Sequence, residues 1–184
     1  IKDNLPDMLR AAESFSDCQL VLAGAPSIDE SYYRQFIEGK DIALLFGQTY
    51  NILQQASAAL VTSGTATLET ALFGVPQVVC YHTPIGKIIA FLKRHFLKVK
   101  YISLVNLILG HEAVRELVAD KMTVPEMRTE LDKLLHDSSY RSTIRQDYNR
   151  MNSILGDSRA SVTAANQMIQ LLTHYNIESP CQTK

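Results

Sequence analysis

Tryptophan is absent and cysteine is scarce. Cys18, Cys80 and Cys181 are too scattered for a disulfide framework and show no C-x-x-C spacing for zinc, a pattern that implies a reducing compartment. No apolar run approaches the roughly 18 to 20 residues that span a bilayer, and no basic region leads into an apolar stretch at the N-terminus. Neither a transmembrane nor a signal segment is expected. An excess of charge of one sign is also missing: 18 basic against 19 acidic residues give a net charge of -1, which excludes the overall basic footprint of a nucleic-acid binder. There is no G-x-S-x-G nucleophile elbow. His82, His95, His111, His136 and His174 form no close ligand pair, and His111-Glu112 opens like a zinc-protease helix but has Arg115 where the second histidine belongs. No metal site is expected.

What remains is ordinary globular material: 184 residues, 46% hydrophobic and 20% charged, with 8 glycines and 6 prolines. That length favours one domain with a core that needs no staples. The start at Ile1 without methionine reads as a piece of a longer protein. Short apolar strands are expected at 19–24, 42–46, 59–62 and 77–81, the first of them buried on both faces. Helices are expected between them, at 3–18, 27–38, 49–57 and 65–73. Such alternation predicts an α/β fold, a Rossmann-like parallel sheet with flanking helices. Residues 100–104 are a further strand candidate. The rest reads as helical, over 85–97, 112–119, 124–136, 139–155 and 158–175, with a frayed tail at 178–184.

The most informative stretch is Val61-Thr62-Ser63-Gly64-Thr65-Ala66-Thr67-Leu68-Glu69, where a buried strand gives way to a helix. In an open α/β sheet, ligands bind outside the carboxyl ends of the strands. Backbone N–H groups at a helix start, with hydroxyls from Ser63, Thr65 and Thr67, suit a phosphate. They equally suit a plain helix cap and turn. The turn has neither the lysine of a Walker loop nor a full G-x-G-x-x-G, so ATPase and dehydrogenase readings fall. Glu69, four residues after Thr65 on the same helix face, can reach a ribose diol or simply favour the helix dipole. Asn106, read beside a strand end, can meet a base or phosphate edge or form a turn.

Charge is unevenly spread. Residues 84–100 hold five basic residues, Lys87, Lys93, Arg94, Lys98 and Lys100, and no acid. With Ile88, Ile89, Phe91, Leu92, Phe96 and Leu97 this forms a basic amphipathic stretch, suited to an anionic membrane surface or to core packing with a solvated cationic face.

Taken together, Ser63-Gly64-Thr65-Ala66-Thr67-Leu68-Glu69, Gly74-Val75-Pro76 and the run from Tyr101 through Ser103-Leu104-Val105-Asn106 to Gly110-His111-Glu112 resemble the C-terminal half of the lipid-A-disaccharide synthase family. The resemblance spans about residues 3 to 175. It implies the C-terminal, nucleotide-holding domain of a GT-B type glycosyltransferase over 1–184, with helices of 139–184 as an extension crossing to a missing N-terminal domain. The implied reaction is inverting transfer of diacylglucosamine from UDP-2,3-diacylglucosamine to 2,3-diacylglucosamine 1-phosphate, with release of UDP. It assigns Ser63, Gly64, Thr65 and Thr67 to the diphosphate, and Glu69, Asn106 and Glu112 to the ribose, the uracil or the shell behind them. It implies no cofactor, no metal and no catalytic residue within this stretch, the acid or base lying in the N-terminal domain. Lys87, Lys93, Arg94 and Lys98 become membrane-facing, on the cytoplasmic side of the inner membrane of a Gram-negative bacterium. A homodimer is also implied, and nucleic acid is not. The chain departs from the family pattern at Val105, where proline is usual, at His111, where arginine is usual, and at His82, where a basic residue is common. A glycine-serine-arginine segment is expected just upstream of residue 1. Two other readings stay open: a different UDP-sugar transferase or epimerase, and a noncatalytic nucleotide-binding or membrane-association module.

Overall fold

The computed structural model describes residues 1–62, 64–82, 100–156 and 160–177. Asn4 and Pro6 open helix α1 (Leu5–Ala12), which buries Leu5, Leu9 and Ala11. The helix stops well short of residue 18, as the Ser14 hydroxyl donates to the Ala11 carbonyl at 2.8 Å. Strand β1 (Leu20–Gly24), helix α2 (Glu30–Ile37), strand β2 (Ile42–Phe46) and helix α3 (Thr49–Gln55) follow. Strand β3 (Ala59–Val61), helix α4 (Thr65–Leu72) and strand β4 (Gln77–Tyr81) repeat the alternation.

The second half departs from expectation in two places. Residues 100–104 form no strand: Ser103 instead caps helix α5 (Leu104–Leu109), its Oγ accepting the Asn106 N–H. The N–H groups of Ile102 and Ser103 are held by the Glu116 carboxylate and cannot join a ladder. Residues 112–119 are not helical either. Arg115–Val118 form strand β5, because the free edge of β4 offers a parallel partner and Leu117 is fully buried opposite Cys80. After a 3₁₀ turn (Ala119–Lys121), helix α6 (Val124–His136) turns Met127, Leu131 and Leu134 inward, and helix α7 (Ser138–Leu155) does the same with Ile144, Tyr148 and Met151. Residues 1–151 make one compact unit. In the second unit, from Asn152 onward, helix α8 (Ala160–Ile177) leaves Met168, Ile169, Leu171 and Leu172 between 61% and 71% exposed. The expected helix at 85–97 and the tail at 178–184 lie outside the described residues.

All strand pairing is parallel, in two ladders: β1 with β2, from Leu20 opposite Ile42 to Gly24 opposite Phe46, and β3–β4–β5. The strand buried on both faces is β4, whose Val78, Val79 and Cys80 have no exposed surface. β1 is not, since Val21 is 40% exposed. Two hydrophobic clusters result. One gathers Tyr33, Ile37 and Ile42 around β1–β2, and the other gathers β4, Val105, Leu117, Met127, Leu134, Ile144 and Tyr148. Helix α1 contributes to both, Leu5 and Leu9 to the first and Ala11 to the second.

Among the described residues no helix is long and apolar enough to cross a membrane, and no group of three metal-ligating side chains occurs.

Candidate functional site

Because the strands are parallel, the carboxyl ends of β3, β4 and β5 share one edge, and the sequence motifs converge on it. β3 leads through Thr62 into the turn at Gly64, which opens α4. Gly64 has φ 114° and ψ -159°, a conformation close to glycine-only. A Cβ there would meet nothing within 4 Å, so the backbone and not the space demands glycine. No side chain caps this helix start. Thr65 is exposed beside it, whereas Thr67 is fully buried and donates its hydroxyl to the Gly64 carbonyl at 2.8 Å. Thr67 therefore closes the turn from inside. Ser63 lies outside the described residues. Glu69 is half-buried one turn further along α4.

Thr67 is anchored in its turn. Gln77, at the start of β4, donates from Nε2 to the Thr67 carbonyl at 2.8 Å and to the Tyr148 hydroxyl at 3.2 Å, and that hydroxyl donates to the Val75 carbonyl at 3.1 Å. Burial pushes the Tyr148 phenol far above its ordinary range, so it stays a neutral donor. Gln77 and Tyr148 were not singled out in the sequence. A buried amide opening a strand of otherwise apolar residues is the one signal that could have marked Gln77.

The second motif sits on α5, which packs against α4. Asn106 is fully buried and its hydrogen-bonding capacity is spent within the protein. Its amide donates to the Val114 carbonyl and to Glu116, both at 2.8 Å, and its Oδ1 accepts the N–H groups of Ala113 at 2.8 Å and Val114 at 3.0 Å. Glu116 in turn accepts from the Ser103 hydroxyl at 2.8 Å and from the N–H groups of Ile102 and Ser103. This carboxylate, missed while its segment was read as helical, neutralises the amino end of α5. Asn106 thus lies within a helix, not beside a strand end, and supports the turn that carries Glu112. Glu112 is exposed and meets Arg115 Nη1 at 3.3 Å. His111, in the place of the family arginine, sets Nε2 3.0 Å from Asp147 Oδ1 and fastens this turn to α7.

At the end of β4 the His82 N–H donates to Asn4 Oδ1 at 2.9 Å, which brings the start of α1 to the same edge. Lys87, Lys93, Arg94 and Lys98 lie outside the described residues. Lys100, at the close of the basic stretch, stands 5.1 Å from the Tyr101 ring centroid.

The family model for lipid-A-disaccharide synthetase matches residues 4–171, almost the whole compact unit and part of α8. The chain belongs to this family. It is 33% identical over 178 residues to the lipid-A-disaccharide synthase of Myxococcus xanthus (strain DK1622), covering 94% of this chain and 46% of that protein. It is 31% identical over 175 residues to the enzyme of Syntrophus aciditrophicus (strain SB), covering 91% and 45%. The chain therefore spans less than half the length of these curated relatives. Among solved structures, the calicheamicin glycosyltransferase CalG4 superposes with a TM-score of 0.57 at 20% identity, covering 90% of this chain and 40% of that one. That likeness concerns the fold, and it agrees with the parallel, Rossmann-like α/β architecture.

Proposed function

We propose that this chain is the UDP-binding part of an inverting hexosyltransferase of lipid A biosynthesis. The reaction is transfer of diacylglucosamine from UDP-2,3-diacylglucosamine to 2,3-diacylglucosamine 1-phosphate. Family membership supports the reaction class. The observation that carries the site is the glycine-specific backbone at Gly64, opening an uncapped helix at the carboxyl edge of a parallel sheet. Ser63, Gly64 and Thr65 contact the diphosphate. Thr67 and Asn106 hold the two turns in shape, and Glu69 and Glu112 serve the sugar or base side of the nucleotide. The positive end of α4 stabilises charge on the departing diphosphate, which calls for neither metal nor cofactor. The catalytic acid or base lies in the other half of the enzyme, so the isolated chain makes no disaccharide.

Both substrates carry acyl chains. Lys87, Lys93, Arg94 and Lys98 place the enzyme peripherally on the cytoplasmic face of the inner membrane, where anionic lipid attracts each cation. The exposed apolar side chains of α8 serve contact with the N-terminal domain or a second subunit.

The test is titration of the chain with UDP, followed by amide NMR and repeated in Thr65→Ala and Gly64→Ala. Saturable binding weakened in both variants supports the reading. UDP binding of equal strength in the variants refutes the phosphate turn.

A further inference from the structure

The two ladders are arranged as the flanks of one sheet whose central strand is supplied from elsewhere. No ladder joins β1 to β3. Helix α3, which carries the chain from β2 to β3, packs on β1, so the connection passes back over β1 and delivers β3 on the side of β1 that faces away from β2. Helix α1 bridges the two ladders, burying Leu5 and Leu9 in one cluster and Ala11 in the other. Its amino end is fastened by Asn4 to His82 at the carboxyl edge, and its carboxyl end leads to the amino end of β1. α1 therefore runs antiparallel to the strands. That is the course of the crossover helix in a β-α-β unit, and β1 is the second strand of such a unit.

We infer that the space between β1 and β3 takes up one further parallel strand, and that this strand is the stretch of the longer protein that leads directly into Ile1. The order then becomes β2–β1–new strand–β3–β4–β5. This is the doubly wound order in which successive connections run outward from a central first strand, with the ligand crevice where the direction reverses. The reversal falls beside β3, the strand that feeds the Gly64 turn. The matched stretch is under half of each curated relative, which leaves ample chain for a strand of about five residues, the usual length. Right-handed crossover from that strand through α1 to β1 also selects this occupant over a second copy, because the strand must end at the carboxyl edge where α1 begins.

The test compares backbone amide exchange in the 184-residue chain with that in a chain extended by about 12 of its natural preceding residues, enough for one strand and its turn. Amides of β1 and β3 are expected to exchange about 100-fold more slowly in the extended chain, in line with the gap between frayed and paired strands. Cross-strand NOEs are expected from the added residues to both β1 and β3. A synthetic peptide of the same residues, added to the 184-residue chain, is a second route to the same protection. Direct β1–β3 NOEs, unchanged exchange in both formats, or protection that rises with concentration as the chain dimerises would each overturn the inference. UDP takes no part in the measurement, so failure of the nucleotide assignment leaves this result standing.

Discussion

At the scale of single residues, the site depends on two positions for different reasons. Gly64 is fixed by its backbone: with nothing near its Cβ position, Gly64→Ala costs only conformational strain. The expected loss is about 1–3 kcal/mol, read as a lower urea midpoint at unchanged slope. Asn106 is fixed by its hydrogen bonds. Asn106→Ala leaves Glu116, two N–H groups and a carbonyl without their partner, and the expected loss is about 3 kcal/mol. Asn106→Asp does no better, as it sets a second carboxylate against Glu116 and the Val114 carbonyl. A denaturation midpoint for either Asn106 variant equal to that of the parent would remove Asn106 from its supporting role. The sequence made Gly64 legible because a glycine among small residues after an apolar run announces a turn. It left Asn106 ambiguous, because whether an amide faces a ligand or its own backbone depends on what folds around it.

Between elements, buried polar contacts fix the approach of helices to strands. Gln77 and Tyr148 join α4, β4 and α7 through the carbonyls of Thr67 and Val75. Tyr148→Phe keeps the ring and removes the hydroxyl, for an expected cost of about 1–2 kcal/mol. The same variant is expected to shift the amide signals of Ala66 to Leu68 more than those of α2, and a uniform shift would count against the link. At the other ladder, Phe46 lies over Gly24 so closely that a Cβ would sit 2.4 Å from the ring. Tyr33 packs edge-on against Phe46 and accepts the Ala25 N–H at 2.9 Å. Gly24→Ala therefore displaces the ring and loosens the turn after β1, at an expected cost of about 1–3 kcal/mol by thermal or urea unfolding. Helix and strand alternation through β4 was legible because each element there carries its own period. The stretch from 100 to 119 was not: Ser103 caps and Arg115–Val118 pair through partners distant in sequence, and local propensity does not register them.

For the molecule as a whole, alkaline pH reports how well the second cluster is sealed. Burial, then the neighbouring Glu130 carboxylate, push the Tyr140 phenol up to about 12, and burial alone pushes the Cys80 thiol to about 12. Both groups are neutral when protonated, so between the unfolded values and the folded ones the native state binds more protons than the unfolded state. Their stabilising contribution is complete below about pH 9 for the thiol and about pH 10 for the phenol, and it is lost as pH rises toward 12. Urea midpoints taken from pH 9 to 12 are expected to fall, and less steeply in Tyr140→Phe above pH 10. A parent and variant with the same slope there would mean that Tyr140 is not sealed. The sequence by itself determined the fold class, the parallel strands through β4 and the position of the glycine turn, because alternating apolar periods and glycine conformation are properties of short segments. Only the tertiary structure decided that Arg115–Val118 is a strand, that Glu116 and Asn106 brace one another, and that the strands form two ladders with α1 across both. Those features rest on edges, charges and buried hydrogen bonds that exist only once distant segments meet.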